Sequence, residues 1–148
     1  RRLDRGMKPI LLSLALALLM VGCGDGIVDY DDLEERKGVM YLPNEDTPFT
    51  GRAESFYENG QKKREWNYKD GKRDGLRTRW YKNGQKKREI NYKDGKPDGL
   101  WTYWYENGQK IIVENYKDGK AYGLWISYNE DGTEQGRATY KDGELVED

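Results

Sequence analysis

"WYKNGQKKREINYKDGKPDGLW" runs from Trp80 to Trp101 and carries two reversal signals, Asn83-Gly84 and Asp94-Gly95. Both dipeptides favour the type I′ hairpin turn, whose two central residues need φ > 0. The stretch therefore reads as strand, turn, strand, turn, strand. The same aromatics and the same turn dipeptides return upstream and downstream of it. Gly51, Gly75, Gly99 and Gly123 stand 24 residues apart, as do Gly60, Gly84, Gly108 and Gly132, and again Gly71, Gly95, Gly119 and Gly143. Three glycine series in phase mark a repeat architecture, in which each unit is one supersecondary element stacked on its neighbours.

The unit is a β-hairpin and the chain is a meander of four copies, 51–74, 75–98, 99–122 and 123–146, after a lead-in at 38–50. If both turns are two-residue loops, Gly75 faces Tyr92 on one side and Trp66 on the other. Gly51 then faces Tyr68, Gly99 faces Tyr116 and Gly123 faces Tyr140. A bare strand glycine leaves its surroundings unpacked, and a cross-strand ring laid over it restores the contact, so a tyrosine roof over each glycine is expected.

Composition agrees with a thin sheet. Of 148 residues, 35% are hydrophobic and 36% charged, with a mean hydropathy of -1.11, poor material for a two-layer core. Twelve Tyr and five Trp against two Phe supply rings with polar edges that tolerate partial wetting. The net charge of -1 hides a gradient: residues 51–98 hold 15 Lys/Arg and 8 Asp/Glu, whereas 99–148 hold 5 and 10.

Strand alternation assigns each residue to a face. One face of the first two copies gathers Lys62, Arg64, Arg73, Arg77, Arg79, Lys86 and Arg88 with Trp66, Tyr81 and Tyr92, and no carboxylate. The expected register sets Arg64 opposite Arg77, Lys62 opposite Arg79, and Arg79 opposite Arg88. Like charges directly opposite are destabilising in a sheet, so these seven cations read as a docking face for anionic groups. In copies three and four the same face turns aromatic, with Trp101, Tyr103, Tyr105 and Trp125 as candidate contacts. Both faces carry apolar stripes, and a single layer cannot bury both. One is expected to be covered by the N-terminal segment or by another molecule.

Between Ile10 and Val21 only Ser13 is polar. Twelve helical residues span about 18 Å, short of a hydrocarbon core of about 30 Å, which favours a secretory signal helix over a permanent span. Leu19-Met20-Val21-Gly22-Cys23 resembles a bacterial lipobox, with Met20 in place of the usual aliphatic residue. The resemblance implies lipidation at Cys23, the only cysteine, with residues 1–23 as signal segment and 24–37 as an acidic tether. Gly24 in place of Asp resembles the sorting pattern of outer-membrane lipoproteins in Gram-negative envelopes.

"GLWTYWYENGQK" (Gly99 to Lys110) and "NYKDGK" (Asn115 to Lys120) resemble the MORN-repeat variant family, a bacterial group that includes antitoxin-like proteins. The resemblance covers about residues 36–146. It implies an all-β, elongated, twisted single-layer antiparallel meander with a binding or scaffolding role, since MORN arrays are linked to protein partners and to membrane lipids. The expected partners are the membrane, through Cys23, and a protein or an anionic envelope lipid. Neutralising a toxin protein, or acting as a structural spacer, are the alternative functions.

The chain has no histidine and no strand-turn-helix context for a nucleophilic serine, so no enzyme activity and no small-molecule substrate are expected. Glu65, Glu89, Asp74 and Asp98 recur at repeat positions as solvated structural groups. The turns lack both the EF-hand loop and the calcium-binding nonapeptide, so no metal or other cofactor is expected. Nucleic acid is an unexpected partner for an exported chain.

Overall fold

The structure, a computed structural model, describes residues 26–146. The expected signal helix and Cys23 lie outside the described residues. Ahead of the repeats come β1 (Ile27–Asp29), one 3-10 turn (Tyr30–Asp32), β2 (Glu34–Arg36) and β3 (Val39–Tyr41). The first hairpin is β4 (Gly51–Phe56) with β5 (Lys62–Lys69). The second is β6 (Lys72–Arg73) and β7 (Gly75–Trp80) with β8 (Lys86–Lys93). The third pairs β9 (Lys96–Trp104) with β10 (Lys110–Lys117). The fourth is β11 (Lys120–Ala121) and β12 (Gly123–Tyr128) with β13 (Glu134–Lys141), followed by β14 (Glu144–Val146). One open sheet of 12 strands runs in the order β1-β4-β5-β7-β8-β9-β10-β12-β13-β14, antiparallel from β4 onward, with β1 parallel to β4 and the short β6 and β11 paired to β5 and β10, while β2 and β3 form a separate ribbon. The expected all-β meander is the fold observed.

The two turns of each repeat differ. Asp70-Gly71, Asp94-Gly95, Asp118-Gly119 and Asp142-Gly143 are two-residue loops with positive φ at both residues, as expected for type I′. The Asn-Gly loops are longer. Gly84 N–H donates to Tyr81 O (3.1 Å) and Tyr81 N–H to Gln85 O (2.8 Å), and only the glycine of the pair has positive φ. This is a three-residue loop, a type I turn with a left-handed glycine, and it displaces the pairing by one residue. A bulge at Lys87 restores it: Trp80 pairs with Lys86, but Arg79 pairs with Arg88. Beyond the bulge the expected partners are in place, Gly75 with Tyr92, Gly99 with Tyr116, Gly123 with Tyr140 and Gly51 with Tyr68.

The expected pairing of Gly75 with Trp66 does not form. Around the Asp-Gly turn Tyr68 pairs with Arg73, yet Glu65 pairs with Thr78, a slip of two residues at Asp74-Gly75. Gly75 has φ +96°, a backbone region costly for any residue with a Cβ. An added Cβ there would meet Asn67 Cβ at 3.4 Å rather than a tyrosine ring. The glycine is thus required by the slip, and the tyrosine roof does not explain it. Asn67 fills the interrupted ladder: its backbone O accepts from Asp74 N–H (3.0 Å) and its Nδ2 donates to Leu76 O (2.6 Å). Asn91 and Asn115 donate likewise to Leu100 O and Leu124 O.

Hydrogen bonds stitch successive repeats along both long edges. On one edge Asn59 Nδ2 donates to Lys82 O, Asn83 to Glu106 O and Asn107 to Glu130 O. On the other, Gly95 N–H donates to Arg73 O and Gly119 N–H to Pro97 O, while Asp74 and Asp98 carboxylates accept from Asp94 and Asp118 N–H. The first repeat has no predecessor, and Phe49-Thr50 takes that place. Gly71 N–H donates to Phe49 O (2.8 Å) and Asp70 N–H to Thr50 Oγ1 (2.9 Å).

The segment expected to be an acidic tether is folded from Ile27 onward. With the lead-in it forms a cap, as the end of a repeat array requires. Val28, Tyr30, Leu33, Met40, Leu42 and Phe49 pack on Ala53, Trp66 and Tyr68 of the first repeat, the main core of the molecule. The N-terminal segment is therefore what covers one face, but only over that repeat. Burial pushes the Tyr68 hydroxyl up to about 12. In the unfolded chain it ionises near 10, so above that pH the unfolded state releases a proton that the folded state keeps. Stability should fall by about 1–2 kcal/mol from this group as pH rises from about 10 to about 12, the partial exposure of the hydroxyl to solvent reducing the full effect. Alkaline denaturation of the protein beside Tyr68→Phe checks this: the variant should lack that part of the loss.

Candidate functional site

Alternation along β5, β7 and β8 brings Arg64, Arg77, Arg79 and Arg88 to one face. Arg64 lies directly opposite Arg79, and Arg79 opposite Arg88, giving three arginines in one cross-strand row. The expected pairs Arg64 with Arg77 and Lys62 with Arg79 are absent, because of the slip at Gly75; the pair of Arg79 with Arg88 is as expected. Arg77 lies flat on Trp66, its Cζ 3.6 Å from the ring centroid, and Arg73 Cζ is 4.7 Å from the same centroid.

Lys62 and Lys86 belong to the other face. The three-residue loop reverses the parity of the residues between it and the bulge, so Lys62 pairs with Phe56 and Lys86 with Trp80. Lys62 Nζ sits 3.0 Å from Glu54 Oε1 and 2.8 Å from Glu65 Oε2, and Lys86 pairs with Glu89. Of the seven cations expected on the docking face, five lie there.

Away from the Asp-Gly turns, where Lys69 faces Lys72 and Lys93 faces Lys96 on the other side of the sheet, the two faces differ in how their charge is matched. Arg52, Lys62 and Lys86 on the one side each have a carboxylate within ion-pair distance. Among the described residues, Arg64, Arg73, Arg77, Arg79 and Arg88 have none. The Nε atoms of Arg64 and Arg77 are buried without a hydrogen-bond partner, as is that of Arg52 on the other face, which has Glu54 Oε1 at 3.2 Å. Burial, then the charge on Arg88, depresses the Arg77 guanidinium to about 10, and burial with the charges on Arg64 and Arg88 lowers that of Arg79. Both stay charged at neutral pH, so the fold bears the repulsion. Arg79→Glu is accordingly expected to raise stability by about 0.5–2 kcal/mol, since two like-charged cross-strand neighbours become oppositely charged. A higher urea midpoint at unchanged m-value is the result that agrees.

The candidate aromatics divide into three groups. Trp66 is 4% exposed, stacked on Tyr30 at 5.5 Å, and is core rather than contact. Tyr81 and Tyr105 spend their hydroxyls on the next repeat, donating to Trp104 O (2.7 Å) and Tyr128 O (3.3 Å). Trp101, Tyr103 and Trp125 stay half-buried. A ladder of rings runs across the strands from Tyr92 to Trp101 (6.3 Å), Tyr116 (4.6 Å), Trp125 (5.4 Å) and Tyr140 (4.4 Å). Within it Glu114 accepts from the Tyr116 hydroxyl, and burial raises its carboxyl above the usual range. The arginine row meets these rings where Arg88 pairs with Tyr103, guanidinium to ring centroid 5.8 Å.

Sequence reasoning missed Tyr30, which lies ahead of the repeats and has no periodic signal. It also gave no role to Asn67, Asn91 and Asn115, although their recurrence just before tyrosine in three copies was there to be read.

Residues 49–70, 73–94 and 97–118 match the MORN repeat variant family. Each matched stretch begins at or near the residues that stitch to the following Asp-Gly turn and ends within that turn. The MORN match stops before the fourth hairpin, which nevertheless repeats the same pairing, Gly123 with Tyr140. There Asn129 stands where the matched repeats have Tyr57, Tyr81 and Tyr105, and it donates to Thr133 Oγ1 inside its own loop. No curated protein matches the chain.

Proposed function

We propose that the protein is a non-enzymatic envelope lipoprotein, anchored through Cys23, whose MORN-type sheet is a scaffold that binds a protein or an anionic envelope component. One observation carries the binding role: five arginines share a face with no ion pair among the described residues, three of them in one cross-strand row, while Arg52, Lys62 and Lys86 on the opposite face are paired with acids. An arginine row that costs stability is retained where the charge has a use, and guanidinium forks beside flat rings suit recognition of carboxylate or phosphate. The anchor rests on the lipobox-like Leu19–Cys23.

Two experiments test the two parts separately. Labelled fatty acid should enter the protein and not Cys23→Ser; equal labelling removes the anchor. Binding to phosphatidylglycerol vesicles and to envelope extracts should weaken in Arg79→Glu/Arg88→Glu. Arg77 is left intact because it packs on Trp66. Unchanged binding to both discards the arginine face.

A further inference from the structure

The first repeat already has an occupant on this face, and its chemistry is legible. Tyr30 lies on Trp66 with rings 5.5 Å apart and 17° from parallel, and Arg64 Cζ is 5.9 Å from the Tyr30 centroid. The residues flanking that ring, Asp29, Asp31 and Asp32, are all acidic, and Glu34 and Glu35 follow. A tyrosine flanked by acids is thus what the chain itself lays against this surface: the ring makes the contact, while Asp29 accepts from Asp31 N–H and Glu34 pairs with Arg36, leaving the arginines of the face without an acid. One repeat on, the surface becomes more basic. Arg79 and Arg88 occupy the places of Ser55 and Arg64, 24 residues along, and Trp101 and Tyr103 lie across the next strands. The capping segment ends its packing on the first repeat, leaving these four side chains half-exposed.

Resting on the scaffold reading above, we propose that the face made by Arg79, Arg88, Trp101 and Tyr103 docks an acidic, tyrosine-bearing segment of a partner protein, its ring seated on aromatic and guanidinium groups as Tyr30 is on the first repeat. Carboxylates of the segment pair with the two guanidinium groups, whose row supplies forked donors and holds no acid of its own. The tyrosine ring covers Trp101 and Tyr103, where the arginine row gives way to the ring ladder. A lipid headgroup would satisfy the cations but leave those rings uncovered, so a peptide fits the whole surface better.

The probe is a fluorescein-labelled peptide with the chain's own Ile27–Glu35 sequence, IVDYDDLEE, titrated against the full protein by anisotropy. Binding should saturate, weaken with salt, and fall about tenfold or more in Arg79→Glu/Arg88→Glu. Trp101→Ala should weaken it as well. So should a peptide with Asn and Gln for its acids, or Ala for its tyrosine, with circular dichroism confirming that each protein variant is folded. No saturable binding, or equal binding by the charge-reversed protein or by the neutral peptide, overturns the proposal. Phosphatidylglycerol vesicles run in parallel separate the two readings. Arginine-dependent vesicle binding without peptide binding removes this inference and leaves the scaffold role standing. Loss of both arms removes both.

Discussion

Trp66→Ala is expected to destabilise the protein by about 3–5 kcal/mol, the range for truncating a buried large aromatic. That is a large share of the stability of a domain, about 5–15 kcal/mol. Trp66 touches nearly everything that holds the first repeat together: Tyr30 stacks on it, Tyr68 lies 6.2 Å away, and the Arg77 and Arg73 guanidinium groups rest on its ring. Its removal leaves a cavity under the cap and exposes Arg77 to its like-charged neighbours with nothing to stack on. Chemical denaturation gives the magnitude. Hydrogen exchange should place the loss in residues 27–50 and the first hairpin, while the third and fourth hairpins exchange as before. Trp125→Ala, at a half-buried ring of the ladder, should cost markedly less.

Gly71→Ala should cost about 2–5 kcal/mol, whereas Gly95→Ala, the same residue of the next repeat, should cost only about 1–2 kcal/mol. Both glycines are the second residue of an Asp-Gly turn, at φ +73° and +81°, so both carry the left-handed penalty. They differ in what surrounds them. A Cβ on Gly71 would run into Val39 Cγ1 and come within 2.9 Å of Met40 O, the backbone of the cap. A Cβ on Gly95 would meet only Lys72 Cβ, at 3.9 Å. The difference between the two urea midpoints therefore measures how tightly the cap is seated. Equal midpoints would mean that the cap yields without cost.

The hairpin architecture was legible because its determinants are local. A two-residue turn with φ > 0 at both positions admits little besides Asp-Gly or Asn-Gly, and four copies in phase leave no other reading. The Asn-Gly loops misled because that dipeptide also suits a type I turn followed by a left-handed glycine. Contacts outside the loop favour the longer form: Asn83 Oδ1 accepts from Gln85 N–H while its Nδ2 reaches Glu106 O, 23 residues on. That single choice decided the face of Lys62 and Lys86, since one extra residue in a strand reverses alternation until a bulge corrects it.

The docking face was therefore half legible. Arg79 opposite Arg88 followed from counting, because loop and bulge cancel on that side of the repeat. Arg64 opposite Arg79 did not, because the slip at Asp74-Gly75 depends on the Asn67 side chain standing in for a ladder bond.

By itself the sequence determined the strand order, the repeat length and the glycine-to-tyrosine pairing, because turn chemistry and period-two alternation act within a few residues. Only the tertiary structure decided which residues of the repeats are surface. Trp66 is buried and Trp101 is half-exposed because Tyr30, from outside the repeat pattern, packs over one and not the other. The pairing of Lys62 and Lys86 with acids, and the lack of any such partner for the arginines, were likewise settled by cross-strand register. Burial and charge pairing depend on what arrives from elsewhere in the chain, and a local pattern carries no record of it.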